Sequence, residues 1–227
     1  MEEDRENSPG LFATGHGIEA RLDYLNNEIP VLLVDGIYQD PQAVRDWALA
    51  LPYGSDAHAF YPGRVARPPE AEASLVGFLR KVVRLVTDAY LPRLPVFPDG
   101  RRLSAIRGVD TDFAVADLHP DELHPAQRLP HTDAVPIFGL VYLNQEDRGG
   151  TLFFKPRPGG ASSGQREGYP TDSDGAFELC GRIAGTFNRL AIYPGFMPHS
   201  GEMTGDWISS DSRFTAPRLT HRIRFFA

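Results

Sequence analysis

The sequence predicts a mainly β fold with its helices confined to the N-terminal part. Three observations predict it. From Leu103 onward, short segments rich in branched and aromatic residues follow one another, separated by Gly and Pro. The stretches with helical spacing, Pro41 to about Leu51 and Ser74 to Leu91, both come earlier. No internal repeat and no strand–helix alternation runs through the chain. Strands in series with turn punctuation indicate a sandwich or barrel with helices packed outside it.

Taken in order, Met1 to Gly10 is polar and acidic, and residues 1–12 are expected to be flexible. Ile29 to Val34 is a compact apolar run that reads as a buried strand, ended by Asp35-Gly36. Asp40 is an N-cap with Pro41 at the first helical position, and Val44, Trp47, Ala48 and Leu51 give the apolar stripe. Tyr53 to Pro69 is irregular and carries His58, Phe60, Tyr61, Arg64 and Arg67, as pocket-lining loops and plain surface connections both do. Leu75, Phe78, Leu79, Val82, Val86 and Tyr90 line one face of the second helix, stopped by Pro92 and Pro95. Strands are expected at Leu103–Val109, Phe113–Leu118, Val135–Leu143, Thr151–Phe154, Phe187–Tyr193 and Arg218–Phe226. Lys155 to Asp174 is too polar to bury much and should be a loop, either a lid or a neutral excursion.

At 227 residues the chain suits one domain, with 13–102 as helix-bearing support and 103–227 as the β core. A net charge of −7 argues against nucleic acid or an anionic membrane as partner. Cys180 is the only cysteine, which excludes an intrachain disulfide and a cysteine-based zinc site. No signal peptide or membrane-length apolar run is present, so a cytoplasmic location is expected. There is no Gly-x-Ser-x-Gly elbow, no Gly-x-Gly-x-x-Gly after a strand and no phosphate-binding Gly-Lys-Ser/Thr loop.

The chemistry centres on Pro130-His131-Thr132-Asp133. In an extended segment, His131 and Asp133 leave the same face. An imidazole and a carboxylate side by side are two of the three protein ligands of a mononuclear Fe(II) oxygenase site. His199, following the strand Phe187–Tyr193 and the turn Pro194-Gly195, supplies the third. A zinc site from His119, His124 and His131 is a competing arrangement, but it leaves Asp133 and His199 without a role. His221 falls on the opposite face of the last strand from Arg218, and His16 and His58 have no patterned partners.

Val141-Tyr142-Leu143-Asn144, Gly149-Gly150-Thr151-Leu152-Phe153-Phe154, Asn188 to Gly195 and His199-Ser200-Gly201, in that order, resemble Fe(II)/2-oxoglutarate-dependent dioxygenases of the prolyl-4-hydroxylase-like branch. The resemblance covers about Phe113 to the end. It implies a double-stranded β-helix (jelly-roll, cupin-like) core, with Fe(II) held by His131, Asp133 and His199. It also implies 2-oxoglutarate and O2 as cosubstrates and hydroxylation with release of succinate and CO2. The family places a basic residue on the last strand against the far carboxylate of 2-oxoglutarate. Arg218 and Thr220 match an Arg-x-Ser/Thr pattern there, with Arg222 and Arg224 on the same face as alternatives. The stretch from His199 to Arg218 is longer than in the family, so Gly205 to Pro217 is expected to be an inserted loop. Tyr142 is a candidate cosubstrate contact or a core aromatic, and Asn144 a cap for the turn before Gly149-Gly150.

Related halogenases carry a small residue in place of the Asp ligand, so Asp133 implies hydroxylation or desaturation. Arg64, Arg67, Arg107, Arg128, Arg222 and Arg224 hint at a small, carboxylate-bearing substrate such as an amino acid or biosynthetic intermediate. A non-catalytic jelly-roll binding protein and a cupin-type metalloenzyme without 2-oxoglutarate are the alternative readings.

Overall fold

A computed structural model describes residues 10–55, 61–69, 72–146, 148–160, 168–203 and 218–227. The expectations for residues 1–9, His58, Phe60, residues 161–167 and the Gly205 to Pro217 insertion lie outside the described residues. The structure is mainly β. An eight-stranded and a three-stranded sheet, all pairings antiparallel, are accompanied by α1 (Pro41–Leu49) and α2 (Ala73–Leu85).

The apolar run Ile29–Asp35 is β2, buried along nearly its whole length. It pairs on one side with β1 (Glu19–Leu25), a strand that is mostly exposed and has no apolar alternation to announce it. Asn26 and Asn27 turn the hairpin with positive φ, which Asn tolerates better than most residues. Asp40 caps α1 as expected, its carboxylate accepting from Ala43 N at 2.9 Å. In α2 the stripe is buried at Leu75, Phe78 and Val82. A wider helical turn, Val86–Tyr90, buries Val86 and Tyr90, and a tight one, Leu91–Arg93, follows. The Tyr90 hydroxyl donates to Pro30 O at 2.9 Å, tying this end of the helix to β2.

The irregular stretch contains two short strands, β3 (Gly54–Ser55) and β4 (Gly63–Ala66). Where two strands were expected between Leu103 and Leu118, one forms: β5, Gly108–Ala116. Residues 103–107 are not strand. Asp110 and Asp112, which disfavour strand by propensity, do not interrupt β5. They face Arg224 and Arg222 in register on β11 (Arg218–Phe226). The remaining strands are β6 (Ile137–Tyr142), β7 (Thr151–Pro156), β8 (Phe177–Ile183), β9 (Leu190–Pro194) and β10 (His199–Gly201). β8 was not expected. β9 starts later than expected because Asn188 has positive φ and uses its side-chain amide on both backbone groups of Tyr38, each at 2.9 Å. The large sheet runs β1-β2-β9-β6-β11-β5-β4-β3 and the small one β10-β7-β8.

Alternation sorts the large sheet into two faces. Leu32, Val34, Phe113, Val115, Ile137, Val141, Leu190, Ile192, Leu219, Ile223 and Phe225 pack with the helices in one core. Val31, Leu33, Phe138, Leu140, Tyr142, Ala191 and Tyr193 belong to a second core shared with Phe153 and Ile183 of the small sheet. On β11 the even positions from Arg218 to Arg224 therefore turn away from the helices. Among the described residues, no helix is long and apolar enough to cross a membrane.

His221 lies on the helix side of β11, fully buried and ring-stacked on Phe113 at 4.3 Å between centroids. The Thr111 hydroxyl donates to Arg222 O at 2.7 Å, so it accepts from His221 Nε2–H, and Nδ1 accepts from the Tyr38 hydroxyl. The ring is held neutral, its pKa pushed down to about 3 by burial and by Arg224, against the opposing pull of Asp112. In the unfolded chain a histidine takes up its proton near pH 6.5, as a general value for the free side chain. The unfolded state therefore binds the extra proton as pH falls from about 6.5 towards 3, and the fold loses stability across that window. The loss from this group should reach about 2 kcal/mol between pH 7 and pH 5. Urea unfolding at both pH values should give His221→Phe a smaller pH dependence than the parent protein. An equal dependence would show that His221 does not titrate on unfolding.

Candidate metal centre and its cavity

His131 and His199 face each other across a bridge between the segment before β6 and the edge strand β10. Each backbone N–H donates to the other's carbonyl, at 2.9 and 2.8 Å. Asp133 N donates to Gly195 O at 2.8 Å, which fixes the segment two residues on. Gly195 is required there, since a Cβ would lie 2.2 Å from Val135 O. The outcome is a cluster in which one ligand atom from each of His131, Asp133 and His199 lies within 4.8 Å of the others. Among the described residues no second group of this kind occurs.

The protonation states suit a metal. His199 Nδ1 lies 2.9 Å from Met197 O, so this nitrogen carries the proton and leaves Nε2 free to ligate. His199 Nε2 in turn is 3.3 Å from Asp133 Oδ2. Two ligand atoms roughly 2.1 Å from a shared ion, at right angles to one another, stand about 3 Å apart. Burial, reinforced by His199, pushes the His131 pKa down to about 4. Burial alone would raise Asp133, but His199, then His131 and Arg222, hold it below the ordinary carboxylate value. A neutral His131 imidazole and an ionised Asp133 carboxylate are ligating forms. Asp133 Oδ2 has no hydrogen-bond partner although it is buried, as a metal-facing oxygen would be.

A cavity of about 60 Å3 opens beside the cluster, between the two sheets. Arg218 forms part of its wall. Its guanidinium is buried and donates to Gly149 O at 2.7 Å (from Nε) and to Gly150 O at 3.2 Å (from Nη2). The positive φ of Gly149 turns the chain there. Among the described residues no carboxylate pairs with Arg218. A buried cation so placed favours an anion in the cavity. Among the described residues five buried side-chain polar atoms lack hydrogen-bond partners, and four of them, on Tyr61, Asp133, Tyr193 and Thr220, belong to residues lining this cavity.

The cavity adjoins a wider groove of about 1030 Å3. Tyr61, His131, Asp133, Phe138 and Arg222 line both. One groove wall is a ladder of paired charges. Arg222 meets Asp112 through two bonds (2.5 and 2.9 Å), and Arg224 reaches Asp110 (3.0 Å) and Asp112 (2.7 Å). Arg67 lies 3.9 Å from Asp110, and away from the groove Arg64 is 2.7 Å from Asp117. Of the arginines read as a hint of a substrate carboxylate, Arg64, Arg67, Arg222 and Arg224 thus each face an internal aspartate.

Other expectations also find their places. Thr220 lines the cavity, but Tyr142 does not. Its hydroxyl bonds Thr151 Oγ1 at 2.7 Å, so it braces a lining residue from behind. Asn144 accepts from Leu219 N at 3.0 Å and so secures the start of β11. The zinc alternative does not assemble among the described residues: His119 and His124 join no cluster with His131, and each caps a short helical turn, Nδ1 accepting from Asp121 N and Ala126 N at 3.3 Å. From the polar loop, Tyr169 contributes to the cavity wall and donates to Leu118 O at 2.9 Å. Tyr61 comes from the irregular stretch read as either a pocket-lining loop or a surface connection, whereas the contributions of Tyr169 and Tyr193 were not foreseen. Only the pairing of β9 against β6 could have signalled Tyr193, by placing it opposite Phe138 on the cavity face.

A family model described as "Family of unknown function (DUF6445)" matches residues 17–166 and 159–225. No curated protein matches the chain. Among solved structures, a crystal structure described as a "Putative oxygenase" from Shewanella oneidensis aligns with 80% of this chain and 71% of its own, at 12% identity and a TM-score of 0.38.

Proposed function

The chain belongs to the DUF6445 family, whose description leaves the chemistry to be read from the site, and we propose that it is an Fe(II)- and 2-oxoglutarate-dependent oxygenase. The observation that carries this reading is one cavity lined both by the His131–Asp133–His199 cluster and by Arg218 and Thr220. Two imidazoles and one carboxylate on one side of an ion match the donor set of non-haem Fe(II) oxygenases. With Fe(II) and 2-oxoglutarate bound, the site would supply hydroxylation of a C–H bond by O2, the cosubstrate leaving as succinate and CO2.

The chain's own residues have separable roles in this reading. His131, Asp133 and His199 hold the metal from one side. The Arg218 guanidinium, oriented by the Gly149 and Gly150 carbonyls, keeps N–H donors for the far carboxylate of the cosubstrate, and Thr220 adds a hydroxyl. Phe138, Leu140 and Met203 exclude water from the space between. The substrate enters from the wider groove, where Tyr61 and Arg222 mark the border. Asp133 favours hydroxylation or desaturation over halogenation.

Strand order supports a double-stranded β-helix. Taking β5, residues 130–133, β6, β7, β8, β9, β10 and β11 as successive strands, the pairings read 1-8-3-6 in the large sheet and 2-7-4-5 in the small one. Successive strands thus fall into two facing sheets, as in a jelly roll. The helices and the β1–β2 hairpin would support this core within one domain. The free Cys180 suits a reducing, cytoplasmic compartment.

Anaerobic titration of the protein with Fe(II) and 2-oxoglutarate tests the proposal. A weak visible metal-to-ligand charge-transfer band is expected, followed by succinate release on admitting O2. If no band develops with saturating Fe(II) and 2-oxoglutarate, the reading is wrong.

A further inference from the structure

We infer that Tyr193 is a cosubstrate-binding residue, its hydroxyl donating a hydrogen bond to the 2-oxo acid end of 2-oxoglutarate; this rests on the reading proposed above. The argument starts from β9, which crosses the large sheet between β2 and β6. Its register sets Tyr193 opposite Phe138, both facing the small sheet. The ring is packed on three sides. It stands edge-on to Phe153 at 5.0 Å between centroids, 5.0 Å from His199 and 5.8 Å from Phe138. The side chain is therefore fixed, fully buried and part of the cavity wall, yet its hydroxyl has no hydrogen-bond partner.

A buried hydroxyl without a partner is costly, and a phenylalanine would fill the same space without that cost. The neighbouring Tyr142 marks the contrast, because its hydroxyl is bonded to Thr151. The ring packs against His199, a member of the cluster, and shares the wall of one cavity with Asp133, Arg218 and Arg222. A molecule that spans the cavity from the cluster to Arg218 passes it there. Burial also keeps the phenol protonated, so it can only approach an anion as a donor. The hydroxyls of Thr220 and Tyr193 then divide the cosubstrate between them, Thr220 at the far carboxylate and Tyr193 at the chelating end.

Tyr193→Phe tests this by removing one oxygen and keeping the packing. The readout is the anaerobic Fe(II) charge-transfer titration, run with 2-oxoglutarate and, in competition, with oxalate, which occupies only the chelating end. The dissociation constant of each is expected to rise roughly tenfold. Mn(II) affinity without cosubstrate should change less than about twofold, because the hydroxyl is not a ligand. The melting temperature of the metal-free variant should equal or exceed that of the parent, which a structural hydroxyl would not allow. A band in the parent protein with unchanged affinities in Tyr193→Phe overturns the inference and leaves the oxygenase reading standing. Weakened 2-oxoglutarate with unchanged oxalate overturns the assignment to the chelating end. No band in the parent protein overturns the oxygenase reading itself.

Discussion

His199→Ala is expected to lose metal binding by at least roughly a hundredfold, since even outer-shell changes reach that range. His199 contributes in two ways. Nε2 faces Asp133 Oδ2 at 3.3 Å, and Nδ1 is anchored on Met197 O at 2.9 Å, which sets both the tautomer and the angle of the ring. Alanine removes both, while the backbone bridge to His131 survives, because it uses only main-chain groups. The effect should therefore fall on the metal more than on the fold. An anaerobic melt with Mn(II) at a hundred times its dissociation constant should raise the parent midpoint by about 5–10 °C. His199→Ala should show no such rise. If the variant is stabilised as much as the parent, the ion sits elsewhere and the cluster is not its site.

The second large effect concerns Arg218. Arg218→Ala is expected to weaken 2-oxoglutarate binding by about two orders of magnitude, the scale for losing one partner of a buried charged pair. It should also destabilise the fold, because Gly149 O and Gly150 O lose their donor. Arg218→Lys separates the two effects. An ammonium keeps the charge but cannot meet two carbonyls and a carboxylate with one planar fork, so affinity should recover only in part. Arg222 provides the comparison, because it is on the same strand face but is held by Asp112 in a two-bond pair. Arg222→Lys should leave the charge-transfer titration nearly unchanged. If instead Arg222→Lys abolishes it while Arg218→Lys does not, the cosubstrate role belongs to Arg222.

Parts of this architecture were legible because the relevant physics is local. The Asp40-Pro41 start of α1, the stripe of α2 and the alternation of β11 each follow from neighbours in the chain. The candidate site was legible as three residue types in an order, and the fold brings those three together. What failed to show depends on partners distant in sequence. Asp110 and Asp112 read as a break between strands, but their arginines lie about a hundred positions away on β11. The same pairs explain why the arginines looked like free cations. β1 is exposed along most of its length, so it has no apolar alternation to be read. Residues 103–107 carry some alternation but no neighbouring strand, and Arg107 N alone bonds across to Phe226 O. Tyr193 was hidden for another reason: its distinguishing feature is a missing bond, which no residue type encodes.

The backbone bridge between His131 and His199 also bears on the order of events during folding. The two ligands belong to segments separated by β6, β7, β8 and β9, and they become neighbours only when β10 closes against residues 130–133. Closures of such long sequence separation carry a high entropic barrier and tend to come late. The metal then has no assembled site to bind at the transition state, so it cannot template the chain. Mn(II) should leave the refolding limb of a denaturant chevron in place and slow only the unfolding limb. The ion would serve as a latch on a finished fold, lengthening the lifetime of the native state without hastening its arrival.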